Sequence, residues 1–337
     1  MTASLPVGKL PAELLARLLG QAPIFDPRVS LGPGIGLDCA VIDYGSHYLV
    51  FKSDPITFAT DQIGWYAVQV NANDIATCGA VPRWMLLTIL LPEGSTSYEL
   101  VEQVFAQVYE ACKNQGISVI GGHTEITSDL DRIILVATMI GEVEHDKLVT
   151  PRGAQPGNSV LLTKGIPIEA TALIARECPS LLAGEFKPDE LQLAENFLFE
   201  PGISVLNDAR IALGAGGVTA MHDPTEGGLA AALWELAEAS QVSIVVNVDA
   251  IPVPNISRRI CRLLDIDPLA AIASGALLLA VQADRALIVQ FALEKAGILC
   301  AHIGEIEPPP VGVFKSSGGL RELLLRPERD AIAKLFE

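Results

Sequence analysis

The sequence predicts a two-domain α/β chain in which strands and helices mix in an α+β pattern, and three observations lead there. Apolar runs of strand length alternate with stretches whose apolar residues recur at helical spacing. The 337 residues exceed what one small hydrophobic core organises. A stretch rich in Pro and Gly, Thr150-Pro151-Arg152-Gly153-Ala154-Gln155-Pro156-Gly157, lies near the middle and sets the expected domains at 1–150 and 151–337.

In the first domain, Pro11 to Leu19 reads as a short helix, with Pro in its first turn and Gly20 as its stop. Ala40 to Asp43 and Tyr48 to Lys52 read as strands joined by a turn at Gly45-Ser46. Gly64 to Cys78 has helical spacing, with Trp65, Val68, Ala72, Ile75 and Ala76 on one face and Gly79 closing it. Trp84 to Leu91 is a continuous apolar run of strand length. Thr96 with Glu99 resembles a capping box that opens a helix to Gln115, ended by Gly116. Ile117 to Ile120 and Arg132 to Ile140 complete the domain as strands.

Beyond the linker, strands are expected at Ser159–Thr163, Ser243–Val248, Ala276–Val281 and Ala301–Ile306. Helices are expected at Ile168–Glu177, Asp189–Phe199, Ser204–Leu213, Leu229–Ala239 and Ala286–Ala296. Half the residues are apolar and only 5% aromatic, so the cores should be aliphatic.

Composition excludes some partners. With 23 basic and 40 acidic residues the formal charge is −17, which repels phosphate backbones and anionic lipid. The longest strongly apolar run, Trp84 to Leu91, is far shorter than the ~20 residues of a membrane helix. Met1 to Ala12 lacks the pattern of a secretory leader. The six cysteines form no CxxC pair and approach no histidine at zinc-ligand spacing, so reduced thiols in a cytoplasmic protein are expected. An anionic ligand needs backbone N–H groups or a metal ion to supply positive field.

Four segments offer such groups. Gly32-Pro33-Gly34-Ile35-Gly36-Leu37-Asp38 precedes a strand; Gly34 and Gly36 leave N–H groups open to an anion, Asp38 could hold a cation, and a plain surface turn is the competing reading. Asn71 and Asp74 share a helix face, so they serve either a ligand or an interhelical hydrogen bond. Gly121-Gly122-His123-Thr124-Glu125 follows a strand and lets a ligand approach the backbone. In His222-Asp223-Pro224-Thr225-Glu226-Gly227-Gly228-Leu229, Asp223 or Thr225 is a possible helix cap, and the Gly pair offers N–H groups to phosphate oxygens. With Asp54, the segments supply several carboxylates for Mg²⁺, a hard ion that prefers oxygen.

In this order the segments resemble the superfamily of aminoimidazole ribonucleotide (AIR) synthetase. Its relatives include thiamine-monophosphate kinase, selenophosphate synthetase and the hydrogenase expression/formation protein. The resemblance runs from Gly8-Lys9-Leu10 to Ser274-Gly275. It implies an AIR synthetase-like fold: an N-terminal mixed-sheet domain that pairs with a second copy through its sheet, and a C-terminal α/β domain. It implies ATP and Mg²⁺ as cofactors, with Asp38, Asp54, Asp74 and Asp223 at the metal. Gly34, Gly36, Asn71, Gly121, Gly122, Thr225, Gly227 and Gly228 would line the nucleotide. The implied chemistry is phosphoryl transfer to an oxygen of a small-molecule or protein-borne substrate, with His123, Glu125 and Glu226 as candidate catalytic groups.

Within the superfamily the chain looks most like the hydrogenase expression/formation branch, with three departures. That branch ends in a Pro-Arg-x-Cys tail whose thiol carries the group to be dehydrated, and this chain has no cysteine after Cys300. His123 stands where relatives place an acid, and Ala273-Ser274-Gly275 stands where the branch shows Ser-Glu-Gly. Self-dehydration is therefore not expected. A non-catalytic nucleotide-binding scaffold is the alternative reading.

Overall fold

The computed structural model describes residues 10–336, so Gly8 and Lys9 of the opening resemblance lie outside the described residues. The chain divides into two compact units. One comprises Asp26–Gly32 and Cys39–Leu148; the other comprises Pro33–Asp38, Val149 onward and the stretch that ends at Phe25. The boundary expected at 150 falls beside Val149, but the N-terminal stretch and the glycine turn pack with the second unit. Gly36 backs directly onto Glu235, and Asp38 pairs with His222.

The first unit holds a six-stranded sheet and two helices. Its elements are β1 (Val29–Leu31), β2 (Ala40–Asp43), β3 (Tyr48–Ile56), α2 (Ile63–Thr77), β4 (Val81–Pro92), α3 (Tyr98–Gln115), β5 (Ser118–Thr127) and β6 (Ile134–Val143). The sheet order is β1-β2-β3-β6-β4-β5; all neighbours run antiparallel except β4 and β5. β3 runs four residues past the expected end at Lys52, because β6 pairs with it from Tyr48–Val143 to Ile56–Leu135. Pro55 is tolerated there because β2 has already ended, leaving that side of β3 without a ladder to feed. The extension brings Lys52 and Asp54 into one strand, on the same face.

α2 packs across β3, β6 and β4 with α3 beside it, and is buried on nearly all sides. It therefore lacks the polar face its spacing implied. α3 is capped one residue later than expected. The Ser97 hydroxyl accepts from Leu100 N–H at 3.2 Å, while Thr96 donates back to the Pro92 carbonyl. Gly116 ends it in the left-handed region.

The second unit begins with α1 (Ala12–Leu19). It continues with β7 (Asn158–Thr163), α4 (Ile168–Glu177), α5 (Pro188–Asn196), α6 (Leu206–Ala215), β8 (Val218–His222), α7 (Gly228–Ser240) and β9 (Ser243–Asn247). It ends with α8 (Asn255–Leu263), β10 (Leu278–Gln282), α9 (Ala286–Lys295), β11 (Cys300–Glu307), β12 (Gly312–Ser317) and β13 (Leu320–Leu323). The strands order as β13-β12-β9-β11-β7-β10-β8. β7 is buried at every position, as a strand covered on both faces must be. Val160 and Leu162 join the aliphatic core under Leu229, Leu233 and Leu236 of α7, whereas Thr163 on the opposite face donates to Asp208 of α6. Among the described residues no helix is long and apolar enough to cross a membrane.

Candidate functional site

In the first unit the candidate site is built on the α2-facing side of β3. Lys52 and Asp54 are two apart and so share that face, and Asp74 projects toward it from α2. The Lys52 ammonium lies 3.1 Å from Asp54 Oδ2 and 3.1 Å from Asp74 Oδ2. Lys52 is only 9% exposed and Asp74 1%, so that pair is shielded from water, while the Asp54 side chain is 33% exposed. Such charges are stable in a low-dielectric interior only when paired and hydrogen-bonded. Asn71 braces the arrangement: its Oδ1 accepts from Asp54 N–H at 3.0 Å, and its Nδ2 donates to the Ala67 carbonyl at 2.9 Å. The amide read as a nucleotide contact is thus fully buried behind the carboxylate, fastening β3 to α2. The Asp74 carbonyl accepts from the Thr77 hydroxyl and the Cys39 thiol, which fixes its backbone.

This donor set suits a hard divalent cation. Two carboxylates already gather round one cation, and Mg²⁺ is commonly held by one or two carboxylates with waters and phosphates completing its shell. Among the described residues no group of three or more His, Cys, Asp or Glu side chains forms a metal cage from protein alone.

The segment Gly121-Gly122-His123-Thr124-Glu125 lies inside β5, not in a turn after a strand. Met85 of β4 pairs with Val119 and Leu86 with Gly121, so Ile120 is left over as a bulge. A Cβ on Gly122 would sit 1.8 Å from the Leu87 carbonyl oxygen, so this glycine is explained by the approach of β4. His123 and Glu125 stand two apart on the exposed edge strand. His123 Nε2 and Glu125 Oε2 are 3.0 Å apart, and the Thr127 hydroxyl donates to Glu125 Oε1 at 2.7 Å. The hydrogen bonds from Thr127 and His123 hold the Glu125 carboxyl below its ordinary range.

In the second unit the glycine turn ends at Asp38. Gly36 has φ +68°, and a Cβ there would lie 2.7 Å from the Glu235 carbonyl oxygen, so the turn is shaped by its seat on α7. Gly34 closes a local turn by accepting from Leu37 N–H. His222, buried at the end of β8, presents Nδ1 to Asp38 Oδ2 at 3.2 Å and Nε2 to Glu235 Oε2 at 2.8 Å. Burial opposes charge on the imidazole, but the two carboxylates prevail and hold it well above its ordinary range. A ring with a carboxylate at each nitrogen is an imidazolium, and here it ties Asp38 to the end of β8.

The start of α7 corrects two expectations. Its N-cap residue is Gly227 at φ +84°, with no side-chain cap from Asp223 or Thr225. The Gly227 N–H donates to Asp330 Oδ2 at 2.7 Å, and the Gly228 N–H to the Thr225 carbonyl at 2.8 Å. Both N–H groups expected to meet phosphate are therefore taken within the chain. A Cβ on Gly228 would lie 2.5 Å from the Ala271 carbonyl and 2.7 Å from that of Leu269. Close packing, not an open cradle, requires that glycine.

Asp330 belongs to a C-terminal segment that lies against the same unit. Leu324 N–H donates to Val313, Ala331 N–H to Ala270, and the Lys334 ammonium to the Asp265 carbonyl. Burial raises the Asp330 carboxyl to about 6 despite its hydrogen bonds from Ile332 and Gly227. Glu169, buried in the first turn of α4, accepts from Ser274 N–H at 3.1 Å. Burial raises it to about 7, and the nearby Asp330 and Asp223 charges add to the shift.

Within the first unit the structure thus brings Asp54 and Asp74 together, and within the second Asp38 and His222. Sequence reasoning missed Lys52, Glu169, Glu235 and Asp330, and gave His222 no role. Lys52 alone carried a local signal, because a lysine two residues before an acid shares its strand face. The others depend on contacts between distant segments.

Residues 36–143 match the AIR synthase related protein, N-terminal domain, and residues 155–315 match the AIR synthase related protein, C-terminal domain. A hydrogenase expression/formation protein of Methanocaldococcus jannaschii is 31% identical over 269 residues, covering 76% of each chain. The thiamine-monophosphate kinase of Bacillus subtilis is 30% identical over 61% of this chain and 60% of its own. The crystal structure of a hydrogenase maturation protein HypE in complex with ATP shares the fold, with a TM-score of 0.72 at 24% identity over 94% of this chain and 90% of that one. This chain is a member of the AIR synthase related protein family, in its N-terminal and C-terminal domains alike.

Proposed function

We propose that the protein is a Mg–ATP-dependent enzyme that activates an oxygen of a small-molecule or protein-borne substrate by phosphoryl transfer. The observation that carries this reading is the buried Asp54–Lys52–Asp74 arrangement, oxygen donors already gathered round a cation. Family membership supports it, since a thiamine-monophosphate kinase is among the relatives and a solved neighbour is in complex with ATP. Asp54 and Asp74 are the metal carboxylates of the first unit, and Asp38 and Asp223 those of the second. A bound Mg²⁺ would offset phosphate charge as it develops during transfer. The chain's own part is positional: Asn71 holds Asp54, and His222 holds Asp38.

His123, Glu125 and Glu226 remain the candidate catalytic groups, of which Glu125 is kept ionised by its hydrogen bonds. Cys300 is no nucleophile, because burial pushes its thiol up to about 12. The cytoplasm is the compartment proposed. A homodimer formed along β5 fits the exposed apolar Val119, Ile120 and Ile126 on that edge strand.

The second reading, a nucleotide-binding scaffold without turnover, is favoured by the internal use of the Gly227 and Gly228 N–H groups. Release of ADP from Mg–ATP by the purified protein separates the two. The enzyme reading predicts slow Mg²⁺-dependent release that a screen of small oxygen acceptors accelerates. Tight binding with no release, alone or with any acceptor, would establish the scaffold instead.

A further inference from the structure

We propose that Lys52 gates metal loading: its ammonium occupies the Asp54 and Asp74 carboxylates, so a divalent cation settles there only together with a nucleotide. The inference rests on the metal-site reading given above and adds a rule of order to it.

Three observations carry it. The ammonium lies 3.1 Å from one oxygen of each carboxylate, an ion pair within hydrogen-bonding distance. A metal ion bound to the same oxygens would stand within a few ångströms of that ammonium, and like charges so close repel strongly in a shielded setting. The side chain is itself nearly buried, on the strand face packed by α2.

The backbones that carry the two carboxylates are anchored as well. Asp54 is held at its backbone by Asn71, and the carbonyl of Asp74 is fixed by Thr77 and Cys39. Metal alone therefore meets an occupied site. A nucleotide changes this balance. Its phosphate oxygens accompany the metal and give the displaced ammonium a partner of opposite charge, so the lysine exchanges carboxylate for phosphate without being left unpaired. Phosphate and metal then enter as a pair, and the acids do not collect free divalent cations when nucleotide is absent.

The test uses Mn²⁺ as the metal and AMP-PCP as the nucleotide, with Mn²⁺ binding followed by electron paramagnetic resonance on the full-length protein. Without nucleotide, Lys52→Met should bind Mn²⁺ at least tenfold more tightly than the wild type, while Lys52→Arg, which keeps the charge, should stay weak. With AMP-PCP the order should reverse, the wild type holding Mn–AMP-PCP more tightly than Lys52→Met. Thermal melting gives an independent readout: Mn²⁺ alone should raise the melting temperature of Lys52→Met and leave that of the wild type unchanged. Should Lys52→Met fail to fold without metal, refolding on addition of Mn²⁺ alone supports the gate, and no refolding contradicts it.

Equal Mn²⁺ affinities for wild type and Lys52→Met, in a wild type that binds Mn–AMP-PCP, overturn the gate and leave the metal site standing. Tight nucleotide-free Mn²⁺ binding by the wild type that Asp74→Asn abolishes also overturns it. A wild type that binds neither Mn²⁺ nor Mn–AMP-PCP overturns the site reading itself, and the gate with it.

Discussion

On β3 and α2, Asp54 and Asp74 face the ammonium of Lys52, whereas around the start of α7, Glu169 and Asp330 face backbone N–H groups. Asp74, Glu169 and Asp330 are largely withdrawn from water, and Asp54 is partly so. The first is compensated by a full positive charge. The second is compensated by amide dipoles, which are not enough: burial raises Glu169 to about 7 and Asp330 to about 6. The difference separates two kinds of place. Where a cation neutralises the acids, another cation can take over. Where carboxylates already fill the N–H groups at a helix start, an incoming phosphate finds its position taken. The glycine pair of the second region serves the packing of the chain.

The largest expected effect would break this comparison outright. Gly228→Ala puts a methyl group 2.5 Å from the Ala271 carbonyl at a backbone φ of +61°, and should destabilise the protein by about 3–4 kcal/mol in chemical denaturation. A variant of wild-type stability with weakened nucleotide binding would return the glycine to the ligand.

The next effect concerns pH. The folded-state value of Glu169, about 7, lies above its ordinary 4.5, so between these values the folded chain keeps a proton that the unfolded chain has released. Stability therefore falls as pH rises from about 4.5 to about 7, and the loss is complete above that. Glu169→Gln keeps the acceptor for Ser274 and removes the titration. It should leave stability unchanged at pH 4 and raise it at pH 8 by up to about 3 kcal/mol. A variant with the same pH profile as the wild type would show that Glu169 is not the group responsible.

Much of the fold was legible because its signals are local. α3 announces itself by serine and threonine before a helical pattern and by Gly116 after it. β7, α4 and α9 were delimited within a residue or so by apolar runs and breakers. The errors have physical sources. β3 was ended too soon because Pro55 reads as a breaker, and only the early end of β2 makes it harmless. Gly121-Gly122 read as a strand end open to a ligand because nothing local reveals that β4 presses on Gly122. β1, α8, β12 and β13 went unread.

The candidate site divides the same way. Asp54, Asp74, Asp38 and Asp223 were visible as acids in ordered segments. Their companions were not: Asn71 faces backward onto Asp54, and Asp330 reaches Gly227 from 103 residues away. A residue that acts through a tertiary contact leaves no spacing to detect.

The measurement that bears most directly on this account is a calorimetric titration of the wild type and of Asp74→Asn with ATP, each with and without Mg²⁺. The account predicts that the wild type binds ATP only when Mg²⁺ is present, and that Asp74→Asn, folded by its circular dichroism spectrum, binds Mg–ATP at least ~10-fold more weakly, as loss of one charged metal contact of about 1.4 kcal/mol or more requires. Equal affinity in the two proteins, or ATP binding by the wild type that ignores Mg²⁺, would contradict it.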